Sequence, residues 1–383
     1  MRANTWATVS AATMSAVNPA NNSLMNPMVG DSPWRGSDGQ RAVIDAWGSA
    51  VWDDENRDLW VPIGGGHGNY GGNEPYKADL GSATPQWRVM RAPSGAVGNT
   101  INLHDSQENT GVYADGRPRA VHVYNNAAFA TGVGPVLVRL ASTFPGSGGS
   151  HKVFKVDAQS GETALVFDFS NAASVGFANG FPGGTSEGNT INGASCYDPR
   201  RNRICSVGTG RSTYLMYCTP TLAPGMWRGG CLPTSVYLSE GPQGLIYLPT
   251  QDRYMSLSTN QGTIVARLVH PSTGVTTVMA LSGAFASGVN LDTMPGVSWS
   301  SELGKVLIWN QSANTAQIST LTPVGNGLGQ WNRGSLTVAA ENTLVPPIRA
   351  NNGTFGLFGY SSSLKGCYLI TSTTAPVHFF ATQ

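Results

Sequence analysis

The sequence predicts an all-β fold in which antiparallel hairpins repeat around a ring, a β-propeller. Three observations predict it. One strand–turn–strand pattern recurs along the chain. Turn formers are abundant, with 48 Gly and 23 Pro among 383 residues. The 10 Trp, 12 Tyr and 12 Phe are spread through the whole length, so they demand burial everywhere and argue against disorder. Helical periodicity is nearly absent.

The recurring unit is a strand ending in an aromatic residue, a short polar turn, a basic residue and a second β-rich strand. Its clearest copies begin at Ala50-Val51-Trp52-Asp53-Asp54, Ser195-Cys196-Tyr197-Asp198-Pro199 and Leu245-Ile246-Tyr247-Leu248-Pro249. Val297-Ser298-Trp299 and Leu357-Phe358-Gly359-Tyr360 open two more, and a weaker copy surrounds Tyr124 to Phe129 without the basic residue. The landmarks Trp52, Tyr124, Tyr197, Tyr247, Trp299 and Tyr360 lie roughly 50–73 residues apart. A single hairpin sheet cannot bury both faces; radial packing buries them and leaves only short, protected edges. Six copies predict six blades, with five or seven as alternatives. Residues 1–40 are expected to form an extended N-terminal arm and 41–383 one propeller domain. One terminal strand, within 5–9 or within 377–381, is expected to complete a blade. Loops are expected at 17–40, 145–150, 171–192 and 219–233.

Composition narrows the function. Charged residues make up 12% of the chain, about half the ~25% usual in globular domains. Net charge is +1 and no basic run occurs, so a nucleic-acid partner is not expected. No stretch approaches the ~18 apolar residues of a membrane-spanning helix. The first thirty residues lack the apolar segment of a signal peptide, which implies synthesis in the cytoplasm. The five cysteines Cys196, Cys205, Cys218, Cys231 and Cys367 have no Cys-x-x-Cys spacing, so no metal site is expected. Cys196 and Cys205 flank one hairpin, where a bridge and simple burial are both open readings.

The segment Asp45-Ala46-Trp47-Gly48-Ser49-Ala50-Val51-Trp52-Asp53-Asp54 is followed by Gly64-Gly65-Gly66-His67-Gly68-Asn69-Tyr70-Gly71-Gly72-Asn73-Glu74-Pro75-Tyr76. Together they resemble the first blade of a kelch-like, galactose-oxidase-type propeller family. Asp115-Gly116-Arg117-Pro118 with His122 and Tyr124 is similar to that family's second-blade entry. The motif likeness covers about residues 45–125; later blades match in repeat pattern alone and lack the double glycine of kelch strands. The resemblance implies a kelch-like propeller of the kind found in bacteria and among structural or tail proteins of tailed bacteriophages.

The best candidate site is the ligand-binding cluster His67, Asn69, Tyr70, Asn73 and Glu74. His and Tyr can stack on or hydrogen-bond a sugar, and Glu can accept its hydroxyls. The competing reading has these side chains holding a turn between blades. Arg119 and His122, with His104, join the cluster if both loops lie on one side. No catalytic residue, cofactor or metal is assigned. Copper oxidation needs two His and a Tyr crosslinked to Cys beside a second Tyr, and the six His are scattered. Gly184-Thr185-Ser186-Glu187-Gly188 has the Gly-x-Ser-x-Gly spacing but lies in a Gly/Asn loop rather than between strand and helix. Gly66 to Gly71 has the Gly-x-Gly-x-x-Gly spacing without a βαβ unit. Asp53-Asp54-Glu55 occupies the repeated turn, which makes these carboxylates turn residues. The expected function is a non-enzymatic bacteriophage virion protein, in the tail or on the particle surface, that acts in assembly or host attachment. Its expected partners are other virion proteins, copies of itself, or a host-surface glycan. The alternatives are a carbohydrate-active propeller enzyme and a bacterial lectin-like scaffold.

Overall fold

A computed structural model describes the chain apart from residues 10–11, 23–35, 67–68, 95–110, 114, 139–140, 144–151, 170–192, 209–213, 221–226, 236–237, 239–242, 261–262, 286–293, 310–315 and 349–351. The chain is a six-bladed β-propeller. Blade 1 consists of Val51–Asp53, Asp58–Val61, Tyr76–Asp79 and Trp87–Val89. Blade 2 consists of Ala127–Ala130, Gly134–Val138, Lys152–Val156 and Thr163–Asp168. Blade 3 is Ala194–Asp198, Arg203–Val207, Tyr214–Thr219 and Arg228–Pro233. Blade 4 is Gln243–Leu248, Arg253–Asn260, Thr263–Val269 and Thr276–Val278. Blade 5 is Gly296–Ser300, Lys305–Trp309, Ser319–Pro323 and Gln330–Ser335, and Ala280–Ser282 adds a parallel fifth strand to its outer edge. Blade 6 is Phe358–Ser361, Gly366–Leu369, His378–Ala381 and, from the other end of the chain, Thr5–Thr8. The first strands of successive blades adjoin around the ring, and the sixth returns to the first.

The repeated hairpin follows from its turn chemistry. In blade 1, Asp53 Oδ1 accepts the backbone N–H groups of Glu55 and Asn56. Asp198 does the same for Arg201, Ser300 for Leu303 and Ser361 for Leu364. Each turn closes on one left-handed residue: Arg57, Gly132, Asn202, Asp252, Gly304 or Lys365. A short side chain that caps the turn, followed by a residue able to reach positive φ, is what a tight hairpin needs.

The aromatic residue before each turn packs toward the preceding blade. Trp52 lies 5.7 Å from Tyr368 of blade 6, and Trp299 joins the core between blades 4 and 5. Tyr197 and Tyr247 join the cores on the blade 2 and blade 3 sides. In blade 2 the equivalent residue is Phe129, which packs on the core shared with blade 1, rather than the landmark Tyr124. The polar tips of these wedges bond to their own turns: Trp52 to Asp54, Tyr197 to Asn202 and Tyr247 to Asp252.

The stretch 219–233, expected as loop, supplies the outer strand of blade 3. Its Gly229 has a reason: a Cβ there would lie 2.4 Å from the Phe167 ring of blade 2. Residues that read as turn formers are therefore a close-packed edge. The described parts of 17–40 hold two short 3-10 turns, Pro19–Asn21 and Gly39–Arg41. The stretch 171–192 lies outside the described residues. Cys196 and Cys205 face each other across paired strands, buried and as free thiols.

Closure joins both chain ends. Thr5–Thr8 pairs antiparallel with His378–Ala381, so both terminal segments contribute to one blade. Trp6 is buried, donates Nε1–H to Ala316 O at 2.8 Å and meets Trp309 and Phe380 at 5.0 and 5.3 Å. Asp54 then ties blade 1 to blade 6, accepting from Trp52 Nε1, Ser363 N and the hydroxyls of Ser361 and Ser362. Burial opposes the Asp54 charge, but the bonds from Ser362, Ser363 and Trp52 outweigh it and hold the carboxyl below its usual range.

Trp6→Ala is expected to lower unfolding free energy by about 3–5 kcal/mol, read from urea midpoints; a loss under about 1 kcal/mol would show that the terminal strand does not close the ring. Asp54 has a lowered folded-state pKa, so its contribution is full above the unfolded carboxyl value and lost as pH falls through the folded one. The stability gap between the parent and Asp54→Asn should therefore shrink on acidification, and a gap that widens would contradict the assignment.

Candidate functional site

The antiparallel order gives the ring two unlike ends. Each first strand runs into its tight turn at one end. The residues that lead into it lie at the other, together with the chain that leaves Val61 and Val89. The motif of the first blade falls at this second end. Between the first strands runs a cavity of about 220 Å³ whose lining, including Val51, Ala128, Cys196, Ile246, Ser298 and Gly359, is uncharged.

The expected cluster divides into three groups. His67 lies outside the described residues. Asn69 and His122 meet, with His122 Nε2 3.2 Å from Asn69 Oδ1. Asn69 Nδ2 donates onward to Asp38 Oδ2 at 2.7 Å. The Asn69 amide and the Ser37 hydroxyl hold the Asp38 carboxyl below its usual range, helped by Arg41. Gly66 makes room for this contact. Its φ is +72°, and a Cβ there would fall 1.8 Å from His122 Cδ2, so the third glycine of the motif is dictated by the histidine ring.

Tyr70 and Glu74 form the second group. Both are fully buried, and Tyr70 Oη donates to Glu74 Oε1 at 2.6 Å. Tyr76 Oη donates to the same oxygen and accepts from Gln40 Nε2 at 3.1 Å. Glu74 Oε2 has no hydrogen-bond partner among the described residues. Burial pushes the Glu74 carboxyl above its ordinary range, against the pull of its tyrosine donors. The same burial raises both tyrosines well above theirs.

Asn73 and Arg119 form the third group, and both act on neighbouring loops. Asn73 Nδ2 donates to Ser94 Oγ and Pro118 O, and its Oδ1 accepts from Ser94 N. Arg119 Nε donates to Val112 O at 2.9 Å, with its guanidinium 5.5 Å from the Tyr113 ring. Tyr113 Oη donates to Gly71 O, which ties Tyr113 to the motif loop.

A set of residues that the sequence reading did not assemble surrounds His122. Trp47 lies beside it, ring centroids 4.3 Å apart and planes tilted by 42°, and is half-buried. Tyr124 lies edge-on to His122 at 5.9 Å, and Phe355 continues the cluster 5.7 Å from Tyr124. Met294 packs against the same group. Trp47, Tyr124, Met294 and Phe355 all have positive φ, between 47° and 56°. Each stands just before the first strand of its blade, in blades 1, 2, 5 and 6. Their common place in the repeat was the available signal. The positive φ that turns their rings together was not visible in the sequence. They form an aromatic cap beside the loop end of the central cavity.

No protein-family model and no curated protein matches the chain. Among solved structures it is similar to a protein of unknown function from Bacteroides thetaiotaomicron, with 11% identity over 98% of this chain and 75% of that one, at a TM-score of 0.47. An auxiliary nutrient binding protein from Bacteroides ovatus has 11% identity over 88% and 69%, at 0.45. The major allergen Mala s 1 of Malassezia sympodialis has 9% identity over 91% and 96%, at 0.45.

Because the folded-state pKa of Glu74 is raised, its stability contribution is present at low pH and lost as pH rises through the folded value. Glu74→Gln removes that loss. The stability advantage of the parent over the variant should therefore decline from about pH 4 upward, followed by urea unfolding across pH. An advantage that is constant or grows would rule out a buried carboxyl that resists ionisation.

Proposed function

We propose that this protein is a non-enzymatic recognition propeller of the kelch-like type, carried on a bacteriophage particle, where its loop-bearing end attaches the particle to a host-surface glycan or to neighbouring subunits. The observation that supports this reading best is the half-buried Trp47 held against His122 at the loop end. An indole partly open to solvent, with polar neighbours fixed around it, offers a sugar ring a stacking face and edge hydrogen bonds. Asn69 and Asp38 supply those polar neighbours, because the Asp38–Asn69–His122 chain fixes the imidazole edge. The resemblance of residues 45–125 to first-blade motifs of phage and bacterial propellers supports the setting. Glu74 supports binding over turnover: it is sealed among tyrosines, where a substrate would have to displace the hydrogen bonds that hold the first blade's loop.

The test is a glycan array with the purified chain, with release of reducing ends measured on the same sugars. Binding without release is expected. Trp47→Gly should weaken binding about tenfold or more in a chain that still unfolds cooperatively, since relief of the positive φ offsets part of the packing lost against the blade 1 core. Release of sugar by the parent chain would replace this reading with the enzymatic one.

A further inference from the structure

A second polar site lies away from the cap, in the wedge between blades 1 and 2. On the face of blade 1 that looks toward blade 2, Trp60, Lys77 and Arg88 form one row across three strands, each opposite the next in register. Trp60 is fully buried in the core shared with blade 2. Farther from the axis the sheets diverge, and the row opens into a groove of about 560 Å³. Its lining is Asn56, Asp58, Lys77, Arg88, the Val89–Met90 pair, and Ala158 with Gln159 from the outer turn of blade 2. That volume lies in the range of small-molecule sites.

The charges in this groove are unbalanced where it opens. Lys77 is neutralised: its Nζ donates to Asp58 Oδ2 at 2.7 Å and sits 5.4 Å from the Trp60 ring centroid. Arg88, directly opposite Lys77, is exposed and has no ion-pair partner among the described residues. Asp79, opposite Asp58, flanks Gly81 together with Arg57 and does not line the groove. With Lys77 paired to Asp58, Arg88 is the lining cation without an ion-pair partner among the described residues, and an anion at its guanidinium meets an uncompensated charge. Arg88 offers a carboxylate a two-pronged donor. Asn56 and Gln159 in the same lining carry both donors and acceptors, and Asp58 an acceptor, for hydroxyl groups. The Met90 and Ala158 side chains, which pack on the core shared by blades 1 and 2, give a sugar ring's C–H face an apolar floor.

We propose that this groove binds an acidic saccharide unit, its carboxylate on Arg88 and its hydroxyls across Asn56, Asp58–Lys77 and Gln159. The site is separate from the aromatic cap and does not rest on it. Ligand-observed saturation-transfer NMR on the full chain tests it, with glucuronate, glucose and inorganic phosphate as probes. Glucuronate is expected to bind, and Arg88→Ala, at an exposed position, to weaken it about tenfold or more. Glucose should bind more weakly than glucuronate by a similar factor, and Trp47→Gly should bind glucuronate as the parent does. Any of four results would overturn the proposal: no glucuronate signal, undiminished binding by Arg88→Ala, phosphate binding as tight as glucuronate, or loss confined to Trp47→Gly.

Discussion

Ring closure is the constraint on which the rest of this structure depends. Each four-stranded blade has two apolar faces, and each face is buried by the neighbouring blade. The core is accordingly divided into inter-blade clusters, such as the one joining Trp60 and Val51 to Leu137 and Phe154. A ring left open would expose two such faces at once. The protein prevents this by pairing Thr5–Thr8 with the last strand of the chain and anchoring it through Trp6. Asp54 adds a polar latch across the same junction, gathering three serine residues of the blade 6 turn. Between blades 3 and 4, Arg201 reaches Asp252 with two bonds of 2.7 Å while also holding Asp198. The charges of a chain with few of them are therefore spent partly between blades.

What the sequence made legible was whatever repeats locally. The turn cap at Asp53 and Asp198 and the aromatic wedge at Trp52, Tyr197 and Tyr247 are set by neighbours within a few residues, so their spacing survives in the chain. Blade 2 misled because it carries an aromatic at both Tyr124 and Phe129, and only packing distinguishes the wedge from the cap. The outer strand Arg228–Pro233 misled for a related reason: its glycine answers to a ring in another blade, and composition alone reads it as loop. The five-stranded edge of blade 5 depends on Ala280–Ser282 running parallel to Gln330–Ser335, a pairing that no local pattern announces.

The motif loop of blade 1 was legible as a unit but not as a geometry. Its residues look like one polar cluster when written in a row. Folded, they point in different directions: Asn69 toward His122, Tyr70 and Glu74 into the interior, Asn73 toward Ser94 and Pro118. Alternate residues of an extended loop cannot all face one ligand. The division of labour follows from this. Some of the motif secures the loop that carries the rest, and the part facing the cap is small.

The positions of backbone strain bear on which end of the ring is functional. At the turn end, left-handed conformations fall on Asn202, Asp252, Gly132 and Gly304, which accept them at low cost, and on Arg57 and Lys365, where the tight hairpin itself demands them. At the loop end the same conformation is forced on Trp47, Tyr124, Met294 and Phe355, at a cost of about 1 kcal/mol or more each. Hairpin geometry does not require it there, since these residues precede strands rather than join them. What the conformation achieves is to turn three rings and a thioether from four separate blades into one cluster around His122. Packing among those rings returns part of the cost. The remainder is borne by the ring as a whole, which is stable enough, once closed, to hold four unfavourable backbones in place at the mouth of its central cavity.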